Sequence, residues 1–307
     1  MSTLVIPQGS ISSRDDAAKL RKAFKGIGCD TSKVIKILAH RNYEQRDLIQ
    51  QEYETSFSEP LTKRMSSELH GNLKKAVLLW ILDPATRDAT ALKQAINSPV
   101  PDLQAITEVI CTRSPSQIRR FKEIYLSQFH SHLEKDIEVT AFGDHKKLLI
   151  QYVTTPRYDG PELDDLLVEK DAQELHKCSD NTLIRIFSER NSTHMAAVSQ
   201  AYQSSFGHSL EKAIKKQTSS HFRGGLLTIL RYAINPSYYF AKILRKSMKG
   251  IGTDDSRLLR VIVTRAEVDM VQIKAAYYSR YGRRLKTDVK SDTSGHYKDF
   301  LVALLGP

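Results

Sequence analysis

RNYEQRDLIQQEYETSFSEPLTKRM, residues 41–65, sets five landmarks: Arg41, Tyr53, Phe57, Leu61 and Met65. The same frame returns as Arg113, Tyr125, Phe129, Leu133 and Ile137, then as Arg190, Tyr202, Phe206, Leu210 and Ile214. It returns a last time as Arg265, Tyr277, Tyr281, Leu285 and Val289. The arginines are 72, 77 and 75 residues apart, and no window needs a gap. The chain is therefore a fourfold repeat of about 75 residues. That period is longer than the short solenoid repeats, so each copy has room for a small core of its own. The copies are expected at 11–83, 84–156, 161–236 and 237–307.

Working outward from Arg41, copy one reads as five helical pieces. Asp15 to Lys25 carries Ala17, Leu20, Ala23 and Phe24 at helical spacing. Gly26-Ile27-Gly28 interrupts it, since glycine accepts the positive φ found past helix ends. Asp30 or Ser32 caps a second helix with an apolar face of Val34, Ile35, Ile37 and Leu38. Asn42 opens a third, and Ser58 before Glu59-Pro60 a fourth. The fifth runs from Leu73 to Leu82 and stops before Pro84. In copy two, Ser114-Pro115-Ser116-Gln117 is a capping box. No segment alternates with period two, so the chain is all-α. Thr154 to Pro161, with two Pro and one Gly, reads as the linker between two halves of two copies each. The repeated Arg, Tyr and Leu columns read as scaffold, with the Arg holding helix C-terminal carbonyls and the Tyr packed below it.

Composition bounds the partners. A net charge of +11 over 307 residues favours anionic partners such as nucleic acid or an acidic membrane face. Cys29, Cys111 and Cys178 are odd in number, far apart and without C-x-x-C spacing, which suits a reducing compartment. Residues 1–8 show no secretory pattern, and the longest apolar run, Ala76 to Leu82, is far short of a bilayer span. Membrane contact is expected to be peripheral, and the protein cytoplasmic.

What differs between copies locates the function. Copy one has Phe24-Lys25-Gly26-Ile27-Gly28-Cys29-Asp30, and copy four Met248-Lys249-Gly250-Ile251-Gly252-Thr253-Asp254. In both, an acid follows the second Gly by 40 residues, Glu68 and Asp292, between the fourth and fifth helices. Copies two and three lack both features: Ser98-Pro99-Val100 and Leu175-His176-Lys177 fill the loop, and Thr140 and Gln217 the acid position. Joint presence and joint loss imply one task. A Gly-rich turn that aims carbonyls at one point, joined by a distant carboxylate, is an all-oxygen site. It suits Ca²⁺ and not Zn²⁺. One carboxylate is little charge for a divalent ion, so coordination places stay open for a lipid phosphate. The competing structural reading makes each Gly pair a helix C-cap and each acid an N-cap of the fifth helix.

At these residues the chain resembles an annexin, from about Asp15 to Leu305, and its short N-terminal tail and two active loops are similar to plant annexins. The resemblance implies a curved, all-α disc of four five-helix repeats that binds acidic phospholipid reversibly with Ca²⁺. It implies as ligands the carbonyls of Phe24, Gly26 and Gly28 with Glu68, and those of Met248, Gly250 and Gly252 with Asp292. Ile27 and Ile251 would meet the membrane interface, and Lys25 and Lys249 the lipid phosphates, each worth about 1 kcal/mol. Two departures stand out: Cys29 replaces Thr, which leaves the first loop less rigid or redox sensitive, and Ile27 replaces a Trp common in plant members, weakening the anchor. A monomer is expected in solution, with self-association reserved for membranes.

Weaker signals point elsewhere. His40 occupies a position discussed as a haem ligand in a peroxidase-like reading of some plant annexins. Ile184-Arg185-Ile186 matches a short pattern proposed for F-actin binding. Asp292-Thr293-Ser294-Gly295 matches D-x-x-G of GTPases, without the phosphate-cradling loop. A basic nucleic-acid binder is the alternative from another class, supported by charge but by no helix-turn-helix or aromatic-interleaved basic pattern, so no nucleic acid is expected. No Ser/His/Asp, Cys/His or paired-carboxylate constellation is evident, and the expectation is a protein without catalytic activity.

Overall fold

A computed structural model describes residues 1–7, 12–26, 28–177, 179–250 and 252–307; Ile27 and Ile251 therefore lie outside the described residues. Among those described the regular structure is helical throughout. Copy one comprises α1 (Ser13–Ala23), α2 (Thr31–Leu38), α3 (Tyr43–Phe57), α4 (Leu61–Glu68) and α5 (Gly71–Trp80). Copy two comprises α6 (Pro84–Ile96), α7 (Leu103–Cys111), α8 (Pro115–Phe129), α9 (Leu133–Thr140) and α10 (Gly143–Thr154). Copy three comprises α11 (Asp165–Lys177), α12 (Asp180–Glu189), α13 (Ser192–Phe206), α14 (Leu210–Gln217) and α15 (Ser220–Ile234). Copy four comprises α16 (Pro236–Ser247), α17 (Asp255–Arg265), α18 (Met270–Tyr281), α19 (Leu285–Asp292) and α20 (Gly295–Leu304).

The capping residues behave as their chemistry requires. Asp30 accepts from the Lys33 amide at the start of α2, and Asn42 forms a reciprocal capping box with Gln45 at α3. Ser114 and Gln117 form the box expected at α8. Ser58 does not cap α4. It ends α3 in a left-handed conformation, φ 53°, and the N-cap of α4 is Pro60, which has no side chain able to accept an amide.

The repeat columns are core. Tyr53, Tyr125, Tyr202 and Tyr277 are 0–1% exposed, and each meets the aromatic four residues on at 4.8–5.1 Å between ring centres. The repeated arginines do more than hold carbonyls. Arg41 donates to Asp16 at 2.6 Å, Arg113 to Asp88 at 2.6 Å, and Arg190 to Asp171 at 2.6 Å. Copy four solves the problem differently: Arg265 pairs with Asp269 at 2.6 Å and stacks on Phe240, which occupies the Asp16 and Asp88 position. Burying an arginine demands a carboxylate, and the carboxylate migrates between copies while the need for it does not.

The helices form two compact units: Met1–Arg87 with Phe240–Pro307, and Asp88–Tyr239. Copies one and four make unit 1, and copies two and three make unit 2. This corrects the division at Thr154 to Pro161, which lies inside unit 2. Arg157 from that segment is 7% exposed, stacks on the Tyr152 ring at 3.7 Å and donates to the Tyr152 carbonyl at 2.5 Å. Arg157 thus anchors the segment to the end of α10. Each unit is assembled the same way. In unit 1, α5 packs on α17 and α20, and α2 on α20. In unit 2 the equivalent α10 packs on α12 and α15, and α7 on α15.

Candidate functional site

In copy four, residues 248–254 join α16 to α17. The Asp254 amide donates to Ser247 O at 2.8 Å and closes the loop, while its carboxylate caps α17 through the Arg257 amide at 3.0 Å. Gly250 and Gly252 sit at φ 126° and 86°. A Cβ on either would meet nothing within 4 Å, so conformation and not space demands glycine there. Met248 is 8% exposed, which leaves its backbone as the part the loop can offer. Asp292, the last residue of α19, reaches the loop: Thr253 Oγ1 lies 2.5 Å from its Oδ2 and 3.0 Å from its carbonyl. The hydroxyl thus ties loop and acid together across 39 residues of chain.

Copy one uses the same frame. The Asp30 amide donates to Ala23 O at 2.9 Å, and Gly26 and Gly28 sit at φ 108° and 87°. Among the described residues, no backbone amide donates to the carbonyls of Gly26, Gly28, Met248, Gly250 or Gly252. Phe24 is different. Arg64 of α4 donates to its carbonyl at 2.7 Å and pairs with Glu68 at 2.9 Å. Two of the four oxygen groups expected for copy one are therefore engaged by a guanidinium. Cys29 stands where copy four has Thr253; burial first, and then the charge of Glu68, push its thiol up.

These placements argue against the capping alternative. Glu68 and Asp292 end the fourth helices and do not start the fifth, whose N-cap residues His70 and Ser294 make no side-chain cap bond. The residue capping α1 is Phe24, at φ −94°, and both glycines lie beyond it. The oxygen set fits a hard cation in copy four, and in copy one after Arg64 yields.

Unit 2 shows why the pattern fails there. Copy two keeps the closing bond, Asp102 amide to Ala95 O at 3.0 Å, but has Ser98 and Val100 at the two glycine positions and Pro99 and Pro101 beside them. Its Thr140 hydroxyl donates back into its own helix, to Asp136 O at 2.6 Å. Copy three has lost the loop. Leu175-His176-Lys177 is the last turn of α11, and α12 begins at Asp180. Cys178 lies outside the described residues.

Sequence reasoning missed Arg64 and the clefts beside the loops. In unit 1 a cleft of about 660 Å³ is lined by Glu68, Asn72, Thr253, Asp255 and Asp292 among others. In unit 2 the equivalent is a cavity of about 300 Å³ that includes His145 and His221, where burial pushes His145 down to about 4. The signal for Arg64 was available: four residues before the acid the copies read Arg64, Asp136, Ala213 and Asp288. Of the weaker motifs, Ile184 and Ile186 are 2% and 0% exposed, and Arg185 is paired with Glu174 and Glu189, so the actin-like triplet is mostly core. His40 Nδ1 lies 3.1 Å from the Lys36 carbonyl.

Comparison with known proteins agrees with the architecture. The annexin family model matches four times, at residues 15–80, 87–151, 170–229 and 239–304, and the chain belongs to the annexin family, whose members bind phospholipid in a calcium-dependent manner. Annexin D5 of Arabidopsis thaliana is 54% identical over 314 residues, covering 100% of this chain and 99% of that protein. Annexin-like protein RJ4 of Fragaria ananassa is 38% identical over 312 residues, with 100% and 99% covered. The solved structure of chicken annexin V is 32% identical, with a TM-score of 0.91 over 100% of this chain and 99% of that one. Calcium-bound annexin (Sm)1 is 28% identical at a TM-score of 0.89, over 100% and 93%. No helix among the described residues is long and apolar enough to cross a membrane.

Proposed function

We propose that this protein binds acidic phospholipid membranes reversibly and calcium-dependently, through copies one and four, as a non-catalytic peripheral protein of the cytosol. The observation that carries the reading is the Thr253–Asp292 contact, which joins a carbonyl-presenting loop to a carboxylate 39 residues away. In copy four the holding groups are the carbonyls of Met248, Gly250 and Gly252 with the Asp292 carboxylate. In copy one they are the carbonyls of Phe24, Gly26 and Gly28 with Glu68. Calcium held there supplies positive charge with open coordination places for a lipid phosphate. The closing bonds of Asp30 and Asp254 fix each loop to its helices, so the carbonyls need little reordering on binding. Lys25 and Lys249 are exposed beside the glycines and add attraction to anionic lipid. Ile27 and Ile251 are assigned the interface by their place between the glycines. The protein is taken as a monomer in solution.

Co-sedimentation with acidic liposomes across a Ca²⁺ series tests the reading. Wild type is expected to pellet as Ca²⁺ rises, and the Glu68→Gln/Asp292→Asn double variant to lose that dependence. Unchanged Ca²⁺ dependence in the double variant sinks the site assignment. Binding that ignores Ca²⁺, falls steeply with salt and is competed by duplex DNA would instead support the polyanion alternative.

A further inference from the structure

Unit 2 lacks the oxygen site but holds a nitrogen one. His145, on α10, is 3% exposed, so its ring nitrogens need partners within the protein. Its Nε2 lies 2.9 Å from Thr107 Oγ1, and the same hydroxyl lies 2.6 Å from the Leu103 carbonyl. A carbonyl only accepts, so the hydroxyl hydrogen goes to Leu103, and Nε2 carries the N–H that donates to Thr107. The lone pair is then on Nδ1, and Nδ1 has no hydrogen-bond partner among the described residues. This is the arrangement of a metal-ligating histidine, one nitrogen held by an acceptor and the other bare.

A second imidazole stands beside it. His221, near the start of α15, has its ring centre 5.8 Å from that of His145, with 31° between the planes. A metal about 2.0–2.1 Å from each nitrogen lies roughly 3.2 Å from each ring centre, so two rings on one tetrahedral ion have centres about 5–6 Å apart. His221 is exposed and has the rotamer freedom to present a nitrogen. Gly225, one turn further along α15, allows the approach: a Cβ there would come within 2.8 Å of Leu148 and 3.4 Å of the His145 ring. Both histidines line the cavity of about 300 Å³ together with Asp144, Asp180 and Ser219. Among the described residues no three of His, Cys, Asp and Glu are grouped to hold a metal, so water must complete the coordination.

We propose that His145 Nδ1 and His221 are the protein ligands of a divalent transition-ion site, of the copper or zinc class, in unit 2. Imidazole selects such ions over Ca²⁺, and Cu²⁺ is the member held most tightly. The Asp144 and Asp180 carboxylates accept hydrogen bonds from the metal-bound waters. Thr107 is a positioning residue, which fixes the tautomer that bares Nδ1.

The test uses the full chain saturated with Ca²⁺, which fills the oxygen sites, and Cu²⁺ as the probe in calorimetry and electron paramagnetic resonance. The expected result is one equivalent of Cu²⁺ with nitrogen couplings from two imidazoles. His221→Asn should weaken binding about tenfold or more and remove one coupling. Thr107→Val should weaken it less and keep both. His145→Gln should remove the site; should that buried variant not fold, the surface variant His221→Asn decides alone. Unchanged affinity and couplings in His221→Asn overturn the proposal, as does wild type without a nitrogen-ligated equivalent. Ca²⁺-dependent liposome binding by His221→Asn should match wild type, which keeps this test separate from that of the membrane reading.

Discussion

In unit 1 the first and second helices of each copy are separated by residues 24–30 and 248–254; in unit 2 the corresponding segments are 97–102 and 178–179. The ten-helix plan is otherwise shared, down to the buried Tyr of every third helix and the packing of α5 on α17 against that of α10 on α12. The scaffold does not depend on the loops, so loops can be lost, stiffened with proline or kept without unfolding the unit. Function is thus free to concentrate in one unit, and the loop sequence is where that choice is written. The two loops of unit 1 differ as well. Copy four offers its acid tied to Thr253, whereas copy one offers its acid paired with Arg64.

The largest expected effect follows from that second difference. Asp292→Asn should weaken Ca²⁺-dependent liposome binding by about tenfold or more, roughly 1.4 kcal/mol. Glu68→Gln should weaken it by only a few-fold, because its carboxylate is already paired with Arg64 at 2.9 Å. Equal losses in the two single variants would erase the distinction between the copies. Arg64→Gln, made in the Asp292→Asn background so that copy one alone is read, should then tighten Ca²⁺ dependence several-fold, on the order of 1 kcal/mol. Arg64 takes up the Phe24 carbonyl and Glu68, both of which an ion would need. An unchanged or weaker response would mean that Arg64 helps to organise the loop.

How much of this was legible depends on which residues carry period. The all-α class, the four copies and the special pair of loops were readable because Arg41, Tyr53 and Leu61 recur at fixed offsets and the glycines do not. The pairing of copies was not, since it depends on which helix faces are left uncovered after each copy folds. Proline and glycine at Thr154 to Pro161 suggested a linker between two halves, but the segment lies inside unit 2, where buried Arg157 anchors it. Ser58 was misread because Ser precedes helices more often than it ends them, and only the left-handed φ of 53° reveals its role. Arg64 escaped notice because its column carries opposite charges in different copies, and His145 because burial and a missing partner are not properties of a residue name.

The comparison of units also makes a stability prediction. The first residue of the fifth helix is left-handed in every copy: Gly71, Gly143 and Gly295 at φ 56–59°, but Ser220 at 54°. A Cβ in that region costs about 1–2 kcal/mol, offset in part by the greater unfolded-state entropy of glycine. Ser220→Gly should therefore stabilise unit 2 by about 0.5–1 kcal/mol in thermal or denaturant unfolding, and Gly71→Ser should destabilise unit 1 by a similar amount. A destabilised Ser220→Gly would show that the serine side chain contributes more than its backbone strain.

Cys29 offers the smallest and most local test. In copy four the Thr253 hydroxyl donates to Asp292, holding the carboxylate against the loop before an ion arrives. A thiol is a weak donor, and that of Cys29 is pushed up by its burial and by the nearby Glu68, so it remains protonated without giving the same restraint. Cys29→Thr restores the donor without altering charge. It should sharpen the Ca²⁺ response of copy one by about twofold, a few tenths of a kcal/mol, in the Asp292→Asn background. The gain should be larger once Arg64→Gln is also present, since Glu68 is then free to turn toward the loop; a double-mutant cycle measures that coupling. Strict additivity would mean that the thiol position and the guanidinium act on copy one independently. The difference between the two loops would then be two separate substitutions rather than one altered hydrogen-bond network.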